Sequence, residues 1–443
     1  MGSGTSLVYS ELTDIGQRRT SNQDSTLVLE PWSAEQYRRR GWIFIVADGM
    51  GAHAAGETAS ALAVEQVPLV YEKSAARSPP VALKAGIKHA HAVIHERGDA
   101  AADLKGMGTT CTVLVLLPRG ALVGHVGDTR AYRVRGGTIE QLSRDHSLSW
   151  EMEGHRDAGI EQPIPKNIIT RSLGPQPSVE VDIEGPHPVE PGDVFVLCSD
   201  GLSGQVADEE IGLFAGGLSP DDAAAALLGL ALVRGAPDNV TLIVARAGDK
   251  EATKTSKADA PWPLSDERAT RAPAAVPVKL LATAAASLLV ACVVNPWSDL
   301  MKPTGLVGGV LGEGLAGGVA WTLSIAAVLL FMGSLLAAVL AFFVGGESAT
   351  RLLPVGAKIG GGPYRRYGCS PSAALLEGVV ASVETAADGL SSGDRARLLA
   401  AVTEARGRLA DGDFTAALAA SAKAIAAYRR TVDAARRDDT VTR

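Results

Sequence analysis

The chain is poor in cysteine. Cys111, Cys198, Cys292 and Cys369 are the only four in 443 residues, and none stands in a CxxC spacing. This argues against a disulfide framework and for a reducing compartment, with Cys111 and Cys198 packed as small hydrophobes inside apolar runs. Lysine and arginine form no block in the first half and the net charge is -7, so no nucleic-acid footprint is visible. The N-terminus, MGSGTSLVYSELTDIGQ, has no basic stretch leading into an apolar run, so nothing marks the adjoining domain for export. Gly2 with Ser6 fits an N-myristoylation pattern only loosely. The glycine-rich stretches Gly305 to Gly318 and Gly360 to Gly362 follow no strand and carry no Lys-Ser/Thr, which excludes phosphate-binding loops and leaves membrane-adjacent turns.

What is present divides the chain. Residues 1–248 read as one mixed α and β domain, with β-branched runs at Trp42–Ala47, Cys111–Leu117, Ala121–Val126, Val194–Cys198 and Asn239–Ala245. Ser219-Pro220-Asp221-Asp222 predicts a helix start, with Ser as the cap, Pro at the first position and two carboxylates at the positive end of the dipole; that helix ends near Gly235. Residues 249–277 are charged and Pro-rich without apolar period, as in a flexible linker.

Two apolar segments come next. The second holds no charge over Ala320–Val344, 25 residues, enough to cross about 30 Å of hydrocarbon. Transmembrane helices are therefore expected at 278–297 and 320–345, joined by a Gly-rich extracytoplasmic loop at 298–319. Arg268, Arg271 and Lys279 precede the first span, Arg351, Lys358, Arg365 and Arg366 follow the second, and only Lys302 lies between, so both ends face the cytoplasm. Neither span has an ionisable residue away from its ends, which argues against transport or proton relay.

After a juxtamembrane linker at 346–370, residues 371–437 show helical period with breaks at Gly389–Gly393 and Asp411-Gly412-Asp413, as in a small all-α bundle. Residues 409–430 resemble part of one tetratricopeptide repeat without a second copy, leaving either a protein-binding module or a plain helical appendage.

Four acidic motifs carry the chemistry: GQRRTSNQD (16–24), VADGMGAH (46–53), CSDGL (198–202) and PDNVT (237–241). Asp48 and Asp200 close strand-like runs and Asp238 opens one, so an antiparallel arrangement can bring all three to one rim. Hard oxygen ligands without Cys or His point to Mg²⁺ or Mn²⁺, and Gly49 leaves its carbonyl free to approach an ion. Arg19 is placed to clamp phosphate oxygens in a bidentate way. Against these, His53 reads as a loop or supporting histidine, His125 as a packed one, and His89, His91 and His95 as an exposed helix face, no glutamate completing an HExxH.

RxxNQD, VADGMGxH, GDTR, SDGL and PDNVT in this order, over about 230 residues, resemble the bacterial branch of the metal-dependent type 2C (PPM) protein phosphatases. The resemblance implies an α+β fold, an α-β-β-α sandwich of two antiparallel sheets flanked by helices. It implies hydrolysis of phosphoserine and phosphothreonine without a phosphoenzyme, with two Mn²⁺ or Mg²⁺ as cofactors and a weaker third ion. Carried onto this chain, Asp48 bridges both metals, the Gly49 carbonyl binds one, and Asp200 and Asp238 hold the other. Asp24 binds metal directly or through water, Arg19 binds the substrate phosphate, and Asp128 of Gly127-Asp128-Thr129-Arg130 is the ligand of the third ion.

Gly204 stands where the family carries a second acid for that ion, and Met50 where animal relatives carry a general-acid histidine. Asp145 and His146 open the region of the family's flap, 145–178. The expected partners are phosphorylated proteins and a Ser/Thr kinase or its substrates, at a bacterial inner (cytoplasmic) membrane. The rival reading is a catalytically silent phosphoprotein-binding scaffold of the same fold.

Overall fold

The computed structural model describes residues 7–51, 55–153, 168–248, 261–264, 282–287, 322, 325–337 and 352–441. The chain divides into two compact units, Met1–Trp262 with Leu353–Arg443, and Pro263–Leu352. The strands of the first unit are β1 (Leu7–Asp14), β2 (Asp24–Leu29), β3 (Trp42–Met50), β4 (Gly108–Thr109), β5 (Cys111–Leu117), β6 (Gly120–Val126), β7 (Arg130–Arg135), β8 (Thr138–Gln141), β9 (Asp182–His187), β10 (Val194–Cys198), β11 (Val240–Ala247) and β12 (Arg365–Gly368). Its helices are α1 (Ala34–Arg40), α2 (Ala55–Ser74), α3 (Pro79–Ala100), α4 (Leu148–Glu153), α5 (Asp200–Ser203), α6 (Asp208–Gly217), α7 (Pro220–Val233), α8 (Ala373–Ala387), α9 (Ser392–Ala410) and α10 (Phe414–Val441).

Two antiparallel sheets result, one in the order β1-β11-β10-β7-β8-β12 and the other β2-β3-β5-β6-β9, with β4 paired to β3. The apolar runs read from sequence lie in these strands to within a residue. They are continuous because each strand is covered on both faces. Along β3, Trp42, Phe44 and Val46 point into the layer between the sheets, while Ile43, Ile45 and Ala47 pack under α2 and α3. β10 repeats the pattern: Phe195 and Leu197 face the other sheet, and Val194, Val196 and Cys198 face the α6 and α7 side. At α7 the Ser219 hydroxyl accepts the Asp222 amide at 3.2 Å, capping the helix.

The C-terminal stretch belongs to this same unit. Leu376, Val380, Leu418 and Ile425 share one buried cluster with Leu227 and Leu230 of α7. Gly229 on α7 has no side chain where the Ile425 methyl sits, so α10 closes directly onto it. The segment 346–370, expected to be a linker, carries the edge strand β12, which pairs Arg365–Gly368 with Thr138–Gln141. Its glycines, read from sequence as membrane-adjacent turns, lie against β9. The Gly362 amide donates to Glu184 at 3.0 Å and the Gly185 amide to the Ile359 carbonyl at 3.0 Å, fixing the segment to β9.

Among the described residues no helix is long and apolar enough to cross a membrane. Of the two expected spans only 282–287, 322 and 325–337 are described, all helical; the rest of both spans, the loop 298–319 and most of the linker 249–277 lie outside the described residues. Ile325, Val328, Leu329, Leu330, Met332 and Leu336 are exposed.

Burying one aliphatic side chain contributes about 1.5–3 kcal/mol, and a whole domain is held by about 5–15 kcal/mol. A chain ending at residue 248 uncovers the α7 face and is expected to bind anilinonaphthalene dyes and to melt roughly 10 °C lower than residues 1–262 joined to 353–443 by a short Gly-Ser linker. Equal melting temperatures would show that the C-terminal helices contribute no stability.

Candidate active site

The antiparallel register of β2 and β3 sets Asp24 opposite Asp48. The Asp48 backbone is held on both sides: its amide donates to the Thr110 hydroxyl at 2.9 Å, and its carbonyl accepts the Thr110 amide at 2.9 Å and the Thr109 hydroxyl at 2.8 Å. β10 ends one residue before Ser199 and pairs with β11, which begins just past Asp238, so Asp200 and Asp238 leave the same end of the other sheet. Ser199 joins the two sheets, donating to Asp24 Oδ2 at 2.8 Å and accepting the Thr241 amide at 3.0 Å.

Gly49 follows Asp48 where a Cβ would collide with the carbonyls of Gly56 and Gln23. Asp128, between β6 and β7, lines a cleft of about 370 Å³ together with Asp200 and Asp238.

Arg19 sits half exposed at the rim and donates to Asp238 Oδ2 at 2.7 Å. Its loop is tied down by Asn239, whose side-chain oxygen accepts the Gln23 amide at 2.9 Å and whose NH₂ donates to the carbonyls of Ile15 and Ser21 at 2.9 and 3.0 Å. From the other side Arg436 of α10 chelates the Asp14 carboxylate at 2.9 and 3.1 Å and donates to the Gly16 carbonyl at 2.6 Å. Gly16 has φ +77°, and a Cβ there would collide with the Asp238 carbonyl, so the loop passes against the metal-motif backbone.

The carboxylates work against each other. Burial, then repulsion from Asp24, Asp200, Asp128 and Asp238, pushes Asp48 well above the usual carboxylate range. Burial pushes Asp24 up to about 6 despite the Ser199 hydroxyl, and Asp128 up to about 7, where Asp200 and Asp145 add to it. Asp200 is raised by burial and by Asp238. One buried oxygen each of Asp24, Asp128 and Asp200 accepts no hydrogen bond. Uncompensated buried acceptors of one sign are what a hard cation satisfies, so the donor set fits Mg²⁺ or Mn²⁺. Among the described residues no three His, Cys, Asp or Glu side chains are placed as a finished metal shell.

Arg130, left without a role by the sequence reading, is a half-buried post beside Asp128. It chelates Asp145 at 2.7 and 2.9 Å and reaches Asp208 at 3.2 Å, while the Tyr132 hydroxyl donates to Asp208 at 2.7 Å. Ser199, Asn239 and Thr110 were also missed; each sits beside a motif aspartate or a strand, but its partners are distant in sequence.

Gly204, at the family's acid position, offers no carboxylate to the cleft it lines. Asp145 and His146 are buried at the base of the flap: His146 Nδ1 accepts the Gly127 amide at 3.0 Å and Nε2 lies 2.9 Å from Asp182. Residues 154–167 of the flap, and His53, lie outside the described residues.

His125 is fully buried, hydrogen-bonded to Thr112 at 2.9 Å, and burial lowers it to about 3. The expected exposed face of α3 is corrected at His91, which is 5% exposed. It accepts the Gly174 amide at 3.1 Å, and His95 Nδ1 lies 2.7 Å from the Gly174 carbonyl, because the chain returning from the flap covers that face.

A family model described as Protein phosphatase 2C matches residues 16–220. The chain is 34% identical over 238 residues to a putative protein phosphatase 2C-type of Streptococcus pyogenes, covering 52% of this chain and 93% of that relative. It is 33% identical over 207 residues, 45% of this chain and 79% of the relative, to the serine/threonine phosphatase stp of Listeria welshimeri. Among solved structures it is similar to the catalytic domain of the serine/threonine protein phosphatase PstP in complex with two manganese ions, at 30% identity and a TM-score of 0.48, over 55% of this chain and 99% of that one. The chain belongs to the protein phosphatase 2C family.

The raised Asp128 makes a testable demand. A carboxyl whose folded pKa exceeds its unfolded one contributes stability present below about 3.8 and lost as pH rises through about 7. In EDTA, Asp128→Asn is therefore expected to melt above the wild type, by on the order of 5 °C at pH 8 and less at pH 5. Thermal melts across that range check it, and a gap that narrows with rising pH would contradict it.

Proposed function

We infer that this chain hydrolyses phosphoserine and phosphothreonine in proteins by metal-assisted attack of water. The observation that carries this reading is the convergence of Asp24, Asp48, Asp128, Asp200 and Asp238, drawn from both sheets, on one rim with buried acceptors unsatisfied. When bound, two Mn²⁺ or Mg²⁺ ions supply charge neutralisation at the phosphoryl oxygens and a water made nucleophilic near neutral pH.

Asp48, the Gly49 carbonyl, Asp200 and Asp238 would hold the two ions. Asp24, direct or through water, and Asp128 at a weaker third position complete the set. The Thr109 and Thr110 contacts keep the Asp48 backbone still, and Ser199 orients Asp24. Arg19 would move from Asp238 to the substrate phosphate, a small penalty, since an exposed ion pair is worth about 0–1 kcal/mol. Asn239 and Arg436 hold its loop while it does so.

We also propose that residues 263–352 anchor the enzyme in a membrane, with the phosphatase unit and the C-terminus in the cytoplasm. Both flanks of that insertion belong to one compact unit, so they share one side of any bilayer and the crossings are even in number. Two spans at 278–297 and 320–345 satisfy this, as does the excess of Lys and Arg outside them. Held there, the enzyme meets kinase-phosphorylated membrane proteins at raised effective concentration.

The test is phosphate release from a phosphothreonine peptide by the full chain in detergent. Turnover with Mn²⁺, abolished by EDTA and reduced at least about 10³-fold in Asp48→Asn and Asp200→Asn, is the expected result. A folded, metal-binding but inactive wild type would favour the silent scaffold. Carbonate extraction of membranes tests the anchor: the full chain should stay in the pellet and a chain lacking 265–351 should be released.

A further inference from the structure

The same cleft that holds Asp128, Asp200 and Asp238 is lined on its far side by Trp150 and Glu153 of α4 and by Arg365 of β12. Arg365 lies far along the chain from every other group there. β12 reaches the cleft because it extends the first sheet past β8, with Arg365 paired opposite Gln141. The family model ends at residue 220, so this strand is outside the region it matches.

The guanidinium of Arg365 lies over the Trp150 ring, 3.9 Å from its centroid, and forms an ion pair with Glu153. Tyr364 meets the same indole edge-on, the ring centroids 6.3 Å apart. A stacked guanidinium and an aromatic neighbour fix a Trp side chain in place.

The shelf is partly exposed, and its charges cancel between Arg365 and Glu153. It therefore offers an aromatic surface and hydrogen-bonding groups and leaves the phosphate to the rim.

Resting on the phosphatase reading, we propose that Arg365 is a specificity-determining residue of this cleft: with Trp150 and Glu153 it forms a shelf for the polypeptide flanking the phosphorylated side chain. A small phosphate ester occupies only the rim and makes no use of the shelf. A phosphopeptide extends across it, and loses the ordered Trp150 surface when the guanidinium is removed.

The experiment compares kcat/KM of the full chain in detergent with Mn²⁺ on a phosphothreonine peptide and on p-nitrophenyl phosphate. In Arg365→Ala the peptide-to-ester ratio should fall about tenfold, through KM. Arg365→Lys, which keeps the cation over the ring, should restore most of it. Arg366→Ala, whose side chain pairs with Glu140 and does not line the cleft, should leave the ratio at the wild-type value. Should Arg365→Ala fail to fold, Trp150→Leu reads the same shelf. Equal losses on both substrates, or no loss in a folded variant, would overturn the proposal, whereas a wild type inactive on both would instead sink the phosphatase reading.

Discussion

Carboxylates of one sign, gathered in a cleft and largely withdrawn from water, repel each other, and the architecture around them answers that repulsion. Asp24 and Asp48 come from facing strands of one sheet, Asp200 and Asp238 from neighbouring strand ends of the other, and Asp128 from the turn that leads between sheets. No single element could hold so many charges, since successive side chains on a strand alternate faces. Two stacked sheets solve this by presenting their ends together. Hydroxyls and amides then fix part of the site: Thr110 and Thr109 at the Asp48 backbone, Ser199 at Asp24, Asn239 under the loop of Arg19.

Charge of the opposite sign is arranged in tiers around this core. Arg130 is largely withdrawn from water and committed to Asp145, Asp208 and Tyr132, so it steadies the approach to Asp128 and offsets only part of the upward push on that carboxyl. Arg19 is at the surface, paired with one carboxylate of the rim. The difference follows from burial: a guanidinium with several charged hydrogen bonds out of water is costly to detach, whereas an exposed pair is not.

The stretch after residue 352 alters the picture of a catalytic domain with an appended tail. α8 and α10 cover α7 with aliphatic side chains, α9 packs on both of them, Arg436 grips the loop that carries Arg19, and β12 widens the first sheet. The segment between the two halves is thus an insertion in one folded unit.

The strands and the acidic motifs were legible in the sequence because their signals are local. An apolar run records a strand covered on both faces, Ser-Pro-Asp-Asp records a helix start, and aspartates at the ends of such runs record a rim. The length and lack of charge of 320–344 are equally local, and state its hydrophobicity without any fold. Tertiary structure alone decided that His91 is buried, that β12 forms the edge of the first sheet, that Arg130 and Arg365 line the cleft, and that Arg436 holds the loop of Arg19. Those facts depend on partners hundreds of residues away in some cases, and an arginine that will stack on Trp150 looks in the sequence like any flanking positive charge. Periodicity reports the environment of an element, while the pairing of its edge is set by packing that leaves no periodic trace.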